Sequence, residues 1–261
     1  MNEPTANHFS ALGIEARSTK PRNVGLTIAV EFGAPLEYQR SLLELAGDTI
    51  DYAKIAVGIA GLMPQDQLRQ KIDLYREHDI LAFPGGMFLE YAFAKDQVEL
   101  YLDSVCAAGF EVVEVSDNAV DIGLHKVGLV ELALARDLVV LGEVGSKSHS
   151  SLADDLVSDA QRLLDAGCLK VLIEAAEFFE GAELRLDLVE AIETRLPLAD
   201  IVFELPGPWL SGVHTHDVIS FEAWLVSRFG PDVNIANDPL GNSLFLESYR
   251  RGVGPNLLER L

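Results

Sequence analysis

Disulfides, membrane spans and positive charge are what this chain has least of, and each shortage removes a class of function. Only two cysteines occur in 261 residues, too few for a disulfide scaffold. Cys106 and Cys168 lie in helix-like segments of apolar and small residues, so both are expected as buried free thiols in a reducing compartment. No apolar run approaches the roughly 18 residues needed to cross a bilayer. The opening stretch MNEPTANHFSALGIEARSTK lacks the charged-then-apolar layout of a signal peptide, and a cytoplasmic location is expected. Basic residues number 20 against 41 acidic ones, a formal charge of −21. Such a surface repels nucleic acid phosphates and anionic lipid, so neither is an expected partner. A small anionic or polar carboxylate substrate would need cations gathered locally.

What is abundant is apolar residue, 49% of the chain, enough for one large core. From about Val24 onward, short β-branched runs alternate with amphipathic stretches of helix length. Eight strands are expected, over 24–31, 51–58, 79–86, 110–117, 137–144, 168–175, 200–207 and 232–239. Helices should follow over 36–47, 64–78, 95–109, 124–135, 150–166, 185–195, 219–229 and 240–251. Eight βα pairs in this length match a single-domain (β/α)8 TIM barrel over residues 21–261, with residues 1–20 as an N-terminal arm. A doubly wound open sheet would want a Gly-rich first turn, and VEFGAPLE has no G-x-G-x-x-G.

The strand ends share acidity as well. Glu31, Glu114, Glu143, Glu174 and Glu204 each fall near the C-terminal end of a strand, the last four spaced 29, 31 and 30 residues apart. That period is one βα unit, so their side chains can converge on the barrel face where active sites are built. Parity agrees in four strands, where the glutamate stands two residues beyond Val112, Leu141, Leu172 or Val202. Unit charges about 5 Å apart repel by roughly 3 kcal/mol at an effective dielectric near 20. Several carboxylates in one mouth therefore require a divalent cation, a lysine or protonation. Lys54 and Lys147 are the internal cations available. Glu143, Glu174 and Glu204 are the expected metal ligands, and Lys54, Lys147, Glu114 and Glu143 the expected catalytic groups. The competing reading has these glutamates in structural ion pairs or capping βα loops.

Other features carry weaker signals. His214, His216 and Asp217 in HTHD can bind a metal, contact substrate or transfer a proton, or form an ordinary loop. Arg250 and Arg251 can hold a phosphate beside the last strand or complement a helix end. Phe178, Phe179 and Trp209 in top-face loops suggest a lid or an oligomer contact, and a homo-oligomer is expected.

The segments KPRNVGLTIAVEFG, AGDTIDYAKIAVG, FPGGMFLE, GFEVVEVSDNAVDI, GEVGSK, VLIEAAE, FELPGP and RFGPDVNIANDP resemble, in order and along nearly the whole chain from residue 20, the phosphosulfolactate synthase family. The resemblance implies a (β/α)8 lyase that adds sulfite to phosphoenolpyruvate with Mg2+ assistance, Mn2+ being a candidate substitute. Carried over by matching stretch, it assigns the site to Lys54, Gly85, Gly86, Glu90, Glu114, Ser116, Asp117, Glu143, Lys147, Glu174, Glu204, Asn234 and Asn237. Departures from the family pattern remove positive charge. Where the family has Asp-Lys-Gly after the first strand, this chain has Glu31-Phe32-Gly33. Its paired lysines after EVG become Ser146 and Lys147, its arginine after IEA becomes Ala176, and Val253 and Gly254 stand where a late arginine is expected. Each lost charge-assisted hydrogen bond to so anionic a substrate pair costs about 1.5 to 3 kcal/mol. A less anionic 2-oxo acid or enol is therefore the alternative substrate, and a non-catalytic binding barrel a second alternative.

Overall fold

A computed structural model of the chain describes residues 8–146, 151–180, 183–207 and 212–255. The eight expected strands are all present, at β1 Thr27–Glu31, β2 Tyr52–Ile55, β3 Leu81–Pro84, β4 Val112–Val115, β5 Val139–Val144, β6 Lys170–Ile173, β7 Ile201–Glu204 and β8 Ile235–Pro239. All pair in parallel, and the ladder runs β3-β2-β1-β8-β7-β6-β5-β4. Its two end strands, β3 and β4, lie against each other, so the sheet is a nearly closed (β/α)8 barrel in a single domain.

The helices are α1 Leu36–Ala46, α2 Gln65–Arg76, α3 Gly86–Ala94, α4 Val98–Ala108, α5 Lys126–Leu134, α6 Ala153–Asp165, α7 Leu186–Arg195, α8 Thr215–Phe229 and α9 Ser243–Arg250. One of them, α3, is not foreseen by the pattern of the sequence. Its segment GMFLEYAFA is apolar almost all round, so it carries no 3.6-residue alternation to betray it.

Two apolar layers result from strand alternation. Ile28, Phe83, Val112, Leu141, Leu172, Val202 and Ala236 fill the barrel interior. The other parity, including Ala29, Ala53, Val113, Val140 and Val171, packs under the helices in a second, larger cluster. The interior set also fixes the direction of the acidic strand ends. Glu114, Glu143, Glu174 and Glu204 each stand two residues past an interior residue, so they are aimed inward at the top of the barrel.

Several expectations are corrected at this level. Glu31 has the opposite parity and turns outward, where its carboxylate meets Lys71 Nζ of α2 at 2.7 Å and accepts from the Ala34 N–H. Lys71 is also bonded to Gln39 of α1, so this acid ties β1 to two helices rather than joining the mouth. Phe178 is fully buried against Phe203 and Phe221 and is no lid. Cys168 is buried as expected, its thiol pushed up to about 12 by burial, but Cys106 is exposed. At the opposite rim, Arg17 reaches the Gly25 carbonyl and Glu247, and Lys20 donates to the Gly47 and His78 carbonyls, strapping the preceding segment beneath the strands.

Candidate active site

The centre of the mouth is Lys54 on β2. Its Nζ donates to Glu114 Oε1 at 2.7 Å and to Glu204 Oε1 at 3.0 Å, joining β2 to β4 and β7, neither of which is its neighbour in the sheet. Burial alone would lower the pKa of this ammonium. The charges of Glu114, Glu204 and Glu143 outweigh that effect and raise it well above the ordinary value, so Lys54 stays charged. The carboxylates move the other way. Glu114 is pushed up to about 7 by burial, with Lys54 opposing the shift and Glu143 adding to it. Glu204 is likewise raised well above the ordinary value, by burial first and then by Glu143.

Glu114, Glu143 and Glu204 each offer an oxygen within 4.8 Å of the other two, and all three are buried. Three carboxylates facing one ammonium leave an excess of negative charge in a dry pocket. Hard oxygen donors at this separation fit a divalent cation such as Mg2+ or Mn2+, and they are a poor set for softer metals. Glu174 is buried beside the group and its charge helps to raise Glu204, but its own oxygen also accepts from the Ala176 N–H at the next turn. The carboxylate left out of the expected ligand set, Glu114, is thus the one that completes this triad.

The seam between β3 and β4 is closed by side chains. Glu114 Oε2 accepts from the Gly86 N–H at 2.7 Å. Glu90 on α3, fully buried, accepts from the Ser116 hydroxyl and from the N–H groups of Asn118, Ala119 and Val120, which fixes the loop after β4. A Cβ on Gly86 would collide with Ser116 Oγ and lie 3.2 Å from Glu114 Cγ, so only glycine permits this approach. The same loop carries Asn118, whose side-chain amide donates to Glu143 Oε1, and Asp117, which pairs with Lys126; Lys126 also donates to the Glu143 carbonyl at 2.8 Å. Glu90, Ser116 and Asp117 therefore position the loop around the triad. Sequence reasoning missed Asn118 and Lys126, although Asn118 directly continues the EVSD motif.

The loop after β5 is arranged similarly. Gly145 has φ of 108°, and a Cβ there would meet Glu177 Cγ at 2.7 Å. Glu177, fully buried, accepts from the N–H groups of Ser146 and Ser151, both at 2.8 Å. Lys147 lies outside the described residues, as does Trp209.

A cavity of about 330 Å³ opens at the mouth, walled by Lys54, Gly85, Gly86, Asn118, Glu143 and Asn237 together with Val30, Phe32, Val57 and Met87. Asn237 closes one side with φ of 60°. Other sequence candidates fall elsewhere. Asn234 sits at the opposite end of β8, bonding the Leu26 N–H and the Ala199 and Ile201 carbonyls. Arg250 is buried at that same rim, donating to the carbonyls of Pro231, Val233 and Leu26, so it braces the barrel floor rather than holding a phosphate. His214 and His216 are exposed, and His214 caps α8 in a reciprocal pair with Asp217.

The sequence model of the (2R)-phospho-3-sulfolactate synthase (ComA) family matches residues 15–255. The chain belongs to the phosphosulfolactate synthase family. It is 32% identical over 257 residues to the phosphosulfolactate synthase of Methanothermobacter thermautotrophicus, covering 94% of this chain and 95% of that one. A second phosphosulfolactate synthase, from Methanocaldococcus jannaschii, is 28% identical over 241 residues, covering 88% and 92%. Among solved structures, a fungal endo-beta-N-acetylglucosaminidase of glycosyl hydrolase family 18 aligns with a TM-score of 0.56 at 10% identity, covering 88% of this chain and 98% of that one. This last likeness speaks for the fold alone. Family membership makes the chain a barrel enzyme of the lyase class.

Proposed function

We propose that this phosphosulfolactate synthase family member is a divalent-metal-assisted lyase that adds a nucleophile to a small enol-type carboxylic acid in the mouth of the barrel. The observation carrying this reading is Lys54 Nζ held between Glu114 and Glu204, within a triad completed by Glu143. Glu114, Glu143 and Glu204 would hold the ion, which supplies Lewis-acid stabilisation of the negative charge that grows on the substrate carboxylate.

In the pair implied by the family, the sulfur lone pair of sulfite forms a bond to the methylene carbon of phosphoenolpyruvate. The double-bond electrons shift toward the carboxylate, and a proton is then placed on the adjacent carbon. Lys54, fixed by two hydrogen bonds and permanently charged, neutralises the developing carboxylate charge without having to move. Glu114, held by Lys54 and the Gly86 N–H, is reserved as an ion ligand, and delivery of the proton to the adjacent carbon is assigned to Lys147. Asn118 orients Glu143, and Lys126 anchors the same strand end. Lys147 is proposed as a second cation for substrate on the strength of its place after EVG. Incubation with phosphoenolpyruvate, sulfite and Mg2+ tests the pair implied by the family: a mass-spectrometric adduct at enzyme-like turnover assigns that pair to this chain, and its absence removes the pair in favour of the second reading below.

A second reading, a less anionic 2-oxo acid or enol in the same site, is favoured by the engagement of the cations. Among the described residues around the mouth, Lys54 is bonded to two carboxylates and Lys126 to Asp117. A substrate dianion would compete with all of these.

A further inference from the structure

The mouth has two unlike walls. One presents Lys54, Glu143 and Asn118, with Glu114 and Glu204 buried behind Lys54; the other is apolar, built from Phe32, Val57 and Met87, which are 55%, 39% and 37% exposed. Phe32 owes its place to Glu31. Because Lys71 draws Glu31 outward, alternation returns Phe32 to the mouth side, where it lines both the central cavity and a neighbouring one of about 490 Å³. Val57 is held at φ of 49°, a left-handed conformation that a β-branched residue adopts only when its surroundings impose it. Gly85 leaves room for the Val57 backbone in this conformation, since a Cβ at Gly85 would lie 2.9 Å from the Val57 nitrogen. Fixed apolar side chains facing water beside a charged pocket are what a site shows when it seats an apolar group. No side chain of this wall carries a charge, and of the two charged residues lining the same cavity, Lys54 is already bonded to two carboxylates and Glu143 would repel a phosphate.

We propose that the substrate carries an alkyl or aryl substituent in place of a phosphate: a 2-oxo or enol acid whose carboxylate end meets Lys54 and whose apolar end rests on Phe32, Val57 and Met87. This rests on the metal-assisted site proposed above and names its substrate class. Each methylene buried there should tighten binding about fourfold.

The test is calorimetric titration of the full chain, in saturating Mg2+, with pyruvate, 2-oxobutanoate, 4-methyl-2-oxopentanoate, phenylpyruvate and phosphoenolpyruvate. Affinity should climb through the series, with 4-methyl-2-oxopentanoate at least tenfold tighter than pyruvate and phosphoenolpyruvate weakest of all. Phe32→Ala should flatten the climb, and Phe32→Lys should reverse the order in favour of phosphoenolpyruvate; Phe32 is solvent-facing, and an unchanged melting curve will verify that both variants fold. A flat series, preference for phosphoenolpyruvate by the unaltered chain, or no binding by any of these acids overturns the inference. A parallel titration with Mg2+ alone separates the two proposals: a rising series without ion binding keeps the apolar seat and refutes the metal site, and ion binding with a flat series does the opposite.

Discussion

Lys54 sits where the attraction of its neighbours overcomes the penalty of burying it, and it is the residue whose removal should be felt most. Replacing it by methionine leaves Glu114 and Glu204 without their shared donor in a water-poor pocket. Breaking a buried pair from one side typically costs about 3 to 5 kcal/mol. In denaturant unfolding at pH 8 with EDTA present, Lys54→Met should lose stability on that scale. At pH 5 the loss should shrink, since Glu114 already titrates near 7 with the lysine in place and both acids become neutral. A loss that is equal at the two pH values would mean that the lysine acts only by packing. Lys54 and Glu114 were legible as candidates from strand position and parity, but that Lys54 spans from β2 to both β4 and β7 was not, because no sequence pattern records which strands face one another across a barrel.

Individual elements bring charged groups together away from the mouth as well. Glu222 on α8 and Asp238 on β8 accept from the same Asn242 side-chain amide at 2.8 Å each, under α9 and out of water. Burial, with the charge of Asp238 next, pushes Glu222 up to about 8 from an ordinary 4.5, and burial pushes Asp238 up to about 6 from 3.8. The folded chain thus keeps protons that the unfolded chain releases between about pH 4 and 8. Stability supplied by these neutral acids is present in full below pH 4 and declines as pH rises through that window. In Glu222→Gln the decline should flatten, and the variant should exceed the unaltered chain at pH 8 by at least about 1 kcal/mol, one pKa unit being worth about 1.4 kcal/mol. A parallel pair of pH-stability curves would contradict the assignment. At this scale the sequence was informative where a pattern existed: β-branched runs marked all eight strands, and amphipathic stretches marked eight helices. It was silent on α3, which has no polar face, and misleading for Asn234 and Arg250. Both are close in sequence to the end of a strand or helix, yet their hydrogen-bonding capacity is used on backbone carbonyls at the opposite rim.

Across the whole molecule, 41 acidic residues stand against 20 basic ones, and three of those carboxylates are concentrated in one pocket around a single ammonium. That arrangement has an electrostatic cost that a bound cation would relieve, and it gives the barrel a mouth with one polar wall and one apolar wall. The sequence disclosed the first wall through the 30-residue repeat of glutamates. It disclosed the second only as a loss of lysine at Phe32, because the direction of that ring depends on Glu31 of β1 being held by Lys71 of α2.

The most direct measurement is calorimetric titration of the full chain with Mg2+, and with Mn2+, alongside the double variant Glu143→Gln, Glu204→Gln. One ion per chain should bind the unaltered protein and raise its melting temperature, and both effects should vanish in the variant while its fold is kept. Absence of ion binding by the unaltered chain, or equal binding by the variant, would contradict a metal-assisted mouth.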